Sequence, residues 1–268
     1  MATHERYTHG HHESVLRSHT WRTVENSAAY LIPHLFRGAR VLDIGSGPGT
    51  ITIDLARRVA PGAVIGIDAS ADIVAQSNGL AVDNALVNVS FVLGNAYALD
   101  FEDDTFDIVH AHQVLQHVAD PVAALSEARR VLKPGGVLAV REVDYGRTIW
   151  APASPGLTQW LSTYEAVHRS NGGDPHAGRS LKSWVMAAGF GEVVSSASIW
   201  CFASDAEREW WGGSWAVRAV ESDFAPRAIE IGVATLDELH AIADAWREWV
   251  GEKAGWFAMP HAEVIATK

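Results

Sequence analysis

Cysteine is almost missing from this chain of 268 residues. Cys201 stands alone, so no disulfide can close within the chain and a thiolate-based zinc cage is excluded. Positive charge is scarce as well. There are 21 Lys and Arg against 32 Asp and Glu, a formal net charge of −11 and a pI near 5.6. Binding a nucleic-acid backbone needs a basic face, so no nucleic-acid partner is expected. No run of 18 apolar residues occurs, and no bilayer-spanning helix is expected. The opening Met1-Ala2-Thr3-His4-Glu5-Arg6-Tyr7 lacks the apolar core of a secretory signal, which makes cytoplasmic residence the expectation. The chain is otherwise ordinary, 48% apolar and 20% charged, and its length suits one large domain or one domain with a smaller lid.

One residue type is unevenly spread. Of eleven tryptophans only Trp21 precedes residue 150, and the other ten lie from Trp150 onward. The chain therefore has two regions of different character.

The first region alternates short β-branched runs with helical stretches, the pattern of a parallel sheet wrapped by helices. Expected strands are 39–44, 63–68, 89–94, 106–111 and 136–143, with helices at 50–59, from a Ser70 cap to about Val82, and from Pro121 to about Leu132. Beyond Asp144 the regular spacing fails. Helices are expected around 159–170 and 181–188, a sixth strand to Phe202, two helical patterns in 205–255, and a last strand over 256–266. The fold class expected is α/β, a Rossmann-like seven-stranded, mostly parallel sheet with helices on both faces.

The chemistry gathers at strand ends. Asp43-Ile44-Gly45-Ser46-Gly47-Pro48-Gly49-Thr50 is a strand, a glycine turn and a helix start, where a backbone can approach a ligand closely. The nicotinamide fingerprint asks for Gly or Ala where this chain has Thr50. Asp68 ends the second strand, where a carboxylate could accept two hydrogen bonds from a vicinal diol. Gly94-Asn95-Ala96 ends the third, Val109 to Pro121 (VHAHQVLQHVADP) follows the fourth, and Leu132-Lys133-Pro134-Gly135-Gly136 turns into the fifth.

With this set of motifs the chain closely resembles class I S-adenosylmethionine-dependent methyltransferases, especially the ubiquinone/menaquinone-biosynthesis kind. The resemblance is strong over 39–143 and weak from 145 onward, and Asn95 departs from the family's usual aspartate. It implies S-adenosyl-L-methionine as cofactor, held by Asp43, Gly45, Ser46, Gly47, Asp68, Ala69, Asn95, Ala96, His112 and Gln113, with Tyr7 and Arg22 closing over the methionine end. It also implies an N-terminal helical cap at 1–38 and a methyltransferase domain at 39–268, interrupted by lid insertions at about 145–180 and 205–255.

No metal is expected. The histidines of His9-Gly10-His11-His12 lack the i, i+4 pairing of a zinc motif. Ser18 and His12 are further candidates in the cap. For catalysis, His117 after strand four is a candidate general base, oriented by Asp144 after strand five. The aromatic insertions suggest an apolar or aromatic small-molecule acceptor, with two or three of the tryptophans touching it, and an apolar lid leaves a homodimer open. Two alternatives stand beside methyl transfer to O, N or C: a non-catalytic S-adenosylmethionine-binding module, and a nicotinamide-dependent oxidoreductase.

Overall fold

Val41-Leu42-Asp43-Ile44 is buried at every position, which suits a strand covered on both faces and forms β1 (Val41–Ile44). The computed structural model describes residues 21–268. Around β1 it assembles β2 (Val64–Asp68), β3 (Val89–Leu93), β4 (Phe106–His112), β5 (Leu132–Val143), β6 (Ile149–Ala151), β7 (Gly191–Phe202) and β8 (Trp256–Thr267). The order is β3-β2-β1-β4-β5-β8, with β7 on the far side of β8. Pairing is parallel from β3 to β5, and β8 enters antiparallel to both β5 and β7. The expected seven-strand sheet is therefore present. The additional β6 arises because β8 outlasts β5: His261 to Thr267 pairs with β5, and Trp256 to Ala258 leaves an edge that Ile149 to Ala151 fills.

The chain runs outward from β1 through β2 to β3, then returns to the other side of β1 with β4. A crevice forms where the order reverses, at the carboxyl ends of β1 and β4. Among the described helices, α1 (Val24–Ser27) packs near the sheet, and α2 (Thr50–Val59), α3 (Ala71–Asp83) and α4 (Pro121–Val131) are the crossovers. Their starts follow local chemistry. The Ser70 hydroxyl accepts from the Ile73 N–H, and Asp120 accepts from Ala123 with Pro121 in the first turn.

The second half adds α5 (Pro155–Ser170), α6 (Ala177–Ala187), α7 (Asp205–Glu221), α8 (Phe224–Glu230) and α9 (Leu236–Gly251). Three helices, rather than the two expected, occupy 205–255. The boundary expected at about residue 180 falls inside α6. Leu181 and Val185 of that helix pack into the same core as α4 and the sheet, whereas α5 joins α7, α8 and α9 around a separate aromatic core.

That core explains the tryptophans. Trp160, Trp215 and Trp246 are fully buried, and Trp160 sits edge-on to Trp215 at 4.8 Å and to Trp246 at 4.9 Å. Edge-to-face packing suits the aromatic quadrupole and lets large flat rings fill space without voids. None of the tryptophans lines the cavity at the crevice. Trp160, Trp211, Trp215, Trp246 and Trp249 are buried together in the lid's interior, and Trp200 of β7 belongs to the same cluster.

Candidate functional site

The turn after β1 requires glycine twice over. Gly45, Gly47 and Gly49 all have positive φ, at 64°, 53° and 87°. A Cβ on Gly45 would also come within 2.4 Å of Val114 Cγ2, while a Cβ on Gly47 would meet nothing within 4 Å. One glycine is thus needed for packing against the β4 turn. The other leaves backbone facing open space, as a cradle for a ligand would.

Asp68 fastens this turn to β2. One carboxylate oxygen accepts from Gly47 N–H and the other from Ser70 N–H, both at 3.0 Å. Behind the turn, buried Asp43 accepts from His110 Nδ1 at 2.7 Å and from the Thr52 hydroxyl. With those two partners Asp43 holds β1, β4 and α2 in register.

These residues open on a cavity of about 850 Å³, at the upper end of the range for small-molecule sites. Of the residues expected at the site, Arg22, Asp43, Gly45, Ser46, Gly47, Asp68, Ala69, Asn95, Ala96, His112, Gln113 and His117 all line it. Tyr7, His12 and Ser18 lie outside the described residues.

Asp144 is placed differently. Both its oxygens are taken by Arg179, at 2.6 Å each, and it is not part of the cavity wall. The expected pairing of His117 with Asp144 is not formed, because Gly178 packs α6 against Asp144 and brings Arg179 onto the carboxylate. The His117 ring instead stacks on His168 at 4.9 Å. Burial holds His168 down to about 4, so it stays neutral while its Nε2 meets the Gln116 carbonyl.

Gln113, expected at the site, is joined at this edge by residues the sequence had not singled out: His261, Arg141, Glu263 and Glu142. Gln113 sits at φ 55°, a conformation that strains a residue with a Cβ. Its side chain is clamped: Arg22 Nη2 donates to Oε1 at 2.9 Å, and Nε2 reaches His261 Nε2 at 2.8 Å. Since the amide end donates, His261 accepts there and carries its proton on Nδ1, which donates to the Met259 carbonyl at 2.9 Å. Burial, with Arg141 and Arg22 nearby, pushes His261 well below the usual histidine range. Alongside, buried Arg141 meets Glu263 at 3.3 Å, and burial brings its guanidinium down to about 10.

Glu142 supports the same turn from behind. Its carboxyl accepts the backbone N–H groups of Val114, Leu115 and Gln116, and complete burial raises it to about 8 despite those bonds. The sign follows from linkage. The folded chain keeps this proton up to about pH 8 and the unfolded chain releases it near 4.5, so this group's stabilisation is full below 4.5 and is lost as pH rises to 8. The loss is at most about 1.4 kcal/mol per pH unit. Buried neutral histidines act oppositely below about 6.5. Urea unfolding at pH 5.5, 7 and 8.5 should therefore show a decline toward alkaline pH that Glu142→Gln flattens. An unchanged slope in the variant would remove Glu142 as its source.

Among the described residues no helix is long and apolar enough to cross a membrane, and no group of three or more His, Cys, Asp or Glu is arranged to hold a metal.

A glycine turn at the reversal point of a parallel sheet, with an antiparallel last strand inserted next to β5, defines the class as a Rossmann-like methyltransferase. Residues 35–186 match the family described as "Methyltransferase domain", and the chain belongs to that family. It is 34% identical over 270 residues to a Schizosaccharomyces pombe protein named "Uncharacterized methyltransferase C1B3.06c", covering 98% of this chain and 96% of the other. Identity to "Probable methyltransferase ltbC" of Aspergillus luteorubrus is 31% over 282 residues, covering 98% and 97%. A phosphoethanolamine N-methyltransferase of Haemonchus contortus, solved with S-adenosylhomocysteine, shares the fold at a TM-score of 0.59. That match has 17% identity and covers 91% of this chain and 52% of that one.

Proposed function

We propose that this S-adenosylmethionine-dependent methyltransferase acts on an oxygen, nitrogen or carbon of an apolar or aromatic small molecule. The observation that carries the reading is the loop of Gly45 to Gly49, tied to Asp68 and open to the cavity. When bound, the cofactor supplies an activated methyl group on a sulfonium, so the protein's tasks are alignment, exclusion of water and proton management.

The residues divide those tasks by position. Asp68 would accept from the ribose hydroxyls, with Ala69 beside it. Asn95 and Ala96 would hold the base. The backbone of Gly45, Ser46 and Gly47 would hold the methionine portion, and the Ser46 hydroxyl there is buried and without a partner. Arg22 and Gln113 would close that end. Asp43 shapes the loop through Thr52 and His110. His117 stands on the cavity wall toward the acceptor. The apolar or aromatic character of the acceptor is supported by the largely apolar approach past Val114 and Val118 on the same wall.

Calorimetry and thermal unfolding with S-adenosylhomocysteine and with NAD test this reading. At a hundredfold excess over Kd the homocysteine product should stabilise the fold by about 2.7 kcal/mol, several degrees in Tm, and NAD should do nothing. No heat and no shift with S-adenosylhomocysteine, or an equal response to NAD, would overturn it.

A further inference from the structure

His112 is the last residue of β4 and lines the cavity, yet it is only 6% exposed and neither ring nitrogen has a hydrogen-bond partner. A buried, unsatisfied polar side chain calls for an explanation, and in a ligand cavity the natural one is a ligand group. Each polar neighbour holds at least one partner, although His110 Nε2 and Arg141 Nη1 have none. Gln113 is held between Arg22 and His261, His261 is held by Gln113 and Met259, His110 by Asp43, and Arg141 by Glu263 and Ser198. Aromatic surface adjoins it: the Trp200 ring lies 5.7 Å away and the His261 ring is stacked at 6.5 Å. The Trp200 ring has guanidinium carbons of Arg141 and Arg22 at 4.8 and 5.4 Å, so it offers little to a cationic ligand.

On the reading above, we propose that His112 is a catalytic residue that receives the proton of an aromatic hydroxyl acceptor, making the enzyme an O-methyltransferase for phenols. The acceptor O–H donates to a His112 ring nitrogen, which points an oxygen lone pair toward the methyl carbon. As the O–CH3 bond forms and the C–S bond breaks, the C–S electron pair stays on sulfur. The O–H proton passes to His112 and then to solvent.

The environment suits oxygen over an alkylamine. Burial, then Arg22, Arg141, His261 and His110, hold His112 well below the usual histidine range, so it stays deprotonated beside a sulfonium. Such a weak base cannot take a proton from an alkylammonium of pKa about 10. It can take one from a hydroxyl oxygen that is already bonding to methyl, because that oxonium is strongly acidic.

The test uses the full chain saturated with S-adenosylhomocysteine and titrated by calorimetry with 1-naphthol and with 1-naphthylmethylamine. Wild type should prefer 1-naphthol by at least about tenfold, the worth of one good hydrogen bond. His112→Phe should abolish that preference and change S-adenosylhomocysteine affinity by much less than it changes 1-naphthol affinity. His112→Gln should bind 1-naphthol but methylate it roughly a hundredfold more slowly, with kcat falling more than KM changes. Failure to bind either compound, equal binding, or faster methylation of the amine overturns the proposal. So does a loss of S-adenosylhomocysteine affinity in His112→Phe as large as the acceptor effect, which would make His112 a cofactor contact. If wild type does not bind S-adenosylhomocysteine at all, the methyltransferase reading itself has failed, and the two failures are thereby separated.

Discussion

Asp68→Ala is expected to weaken S-adenosylhomocysteine binding by roughly a hundredfold or more, about 3 kcal/mol, while the fold survives. Two losses combine. In the proposed site the ribose hydroxyls would lose a charged acceptor, and the Gly47 and Ser70 N–H groups lose the carboxylate that holds the glycine turn against β2. Asp68→Asn separates them, since its single carbonyl can serve one N–H but cannot provide two acceptor oxygens. It should fall between wild type and the alanine variant. Calorimetry on all three, with unliganded Tm as the control for folding, measures the effect. Unaltered affinity in Asp68→Ala would remove Asp68 from the ribose site.

Trp160→Ala should instead cost stability, by about 4 kcal/mol, with Tm falling by roughly 10 °C. The ring is fully buried between Trp215, Trp246 and Phe257. Its removal leaves a large void among rigid aromatic neighbours that cannot collapse to fill it. Below the transition the variant should still bind S-adenosylhomocysteine as wild type does, because the cofactor cavity has no tryptophan in its wall. Equilibrium urea unfolding and calorimetry at low temperature check both halves. A small stability change together with lost turnover would instead make Trp160 one of the tryptophans that touch the acceptor.

The two variants mark the two halves of the molecule. Asp68 acts at the edge of the parallel sheet, where strand ends and glycines present backbone to a ligand. Trp160 acts in a lid whose aromatic weight is spent on its own interior. The concentration of tryptophan beyond residue 150 was plain in the sequence, but composition says nothing about which way a ring faces. An indole sequestered in a helical core and an indole on a substrate wall leave the same trace in the chain.

Much of the candidate cavity's lining was legible. The glycine turn, Asp68, Asn95, Ala96, His112 and Gln113 each sit at or just after a strand end, and all line one cavity. Alternation of short apolar runs with amphipathic helices placed those ends at one edge of the sheet, and that inference needs only neighbours along the chain. The partnership of His117 with Asp144 failed for the complementary reason. Both residues were correctly placed after β4 and β5, but α6 delivers Arg179 to Asp144 and α5 delivers His168 to His117.

Local sequence alone therefore determined the five parallel strands, their crossover helices and the glycine turn, because burial on both faces, helix caps and positive φ are demands that nearby residues meet by themselves. Tertiary structure decided how the polar edge is wired. By inserting antiparallel between β5 and β7, β8 sets His261 against Gln113 and Glu263 against Arg141, across 148 and 122 positions of chain. It also decided which histidine is left without a partner. Such pairings depend on strand order and register, which no local pattern encodes, and they leave the buried ring nitrogens of His112 without a hydrogen-bond partner.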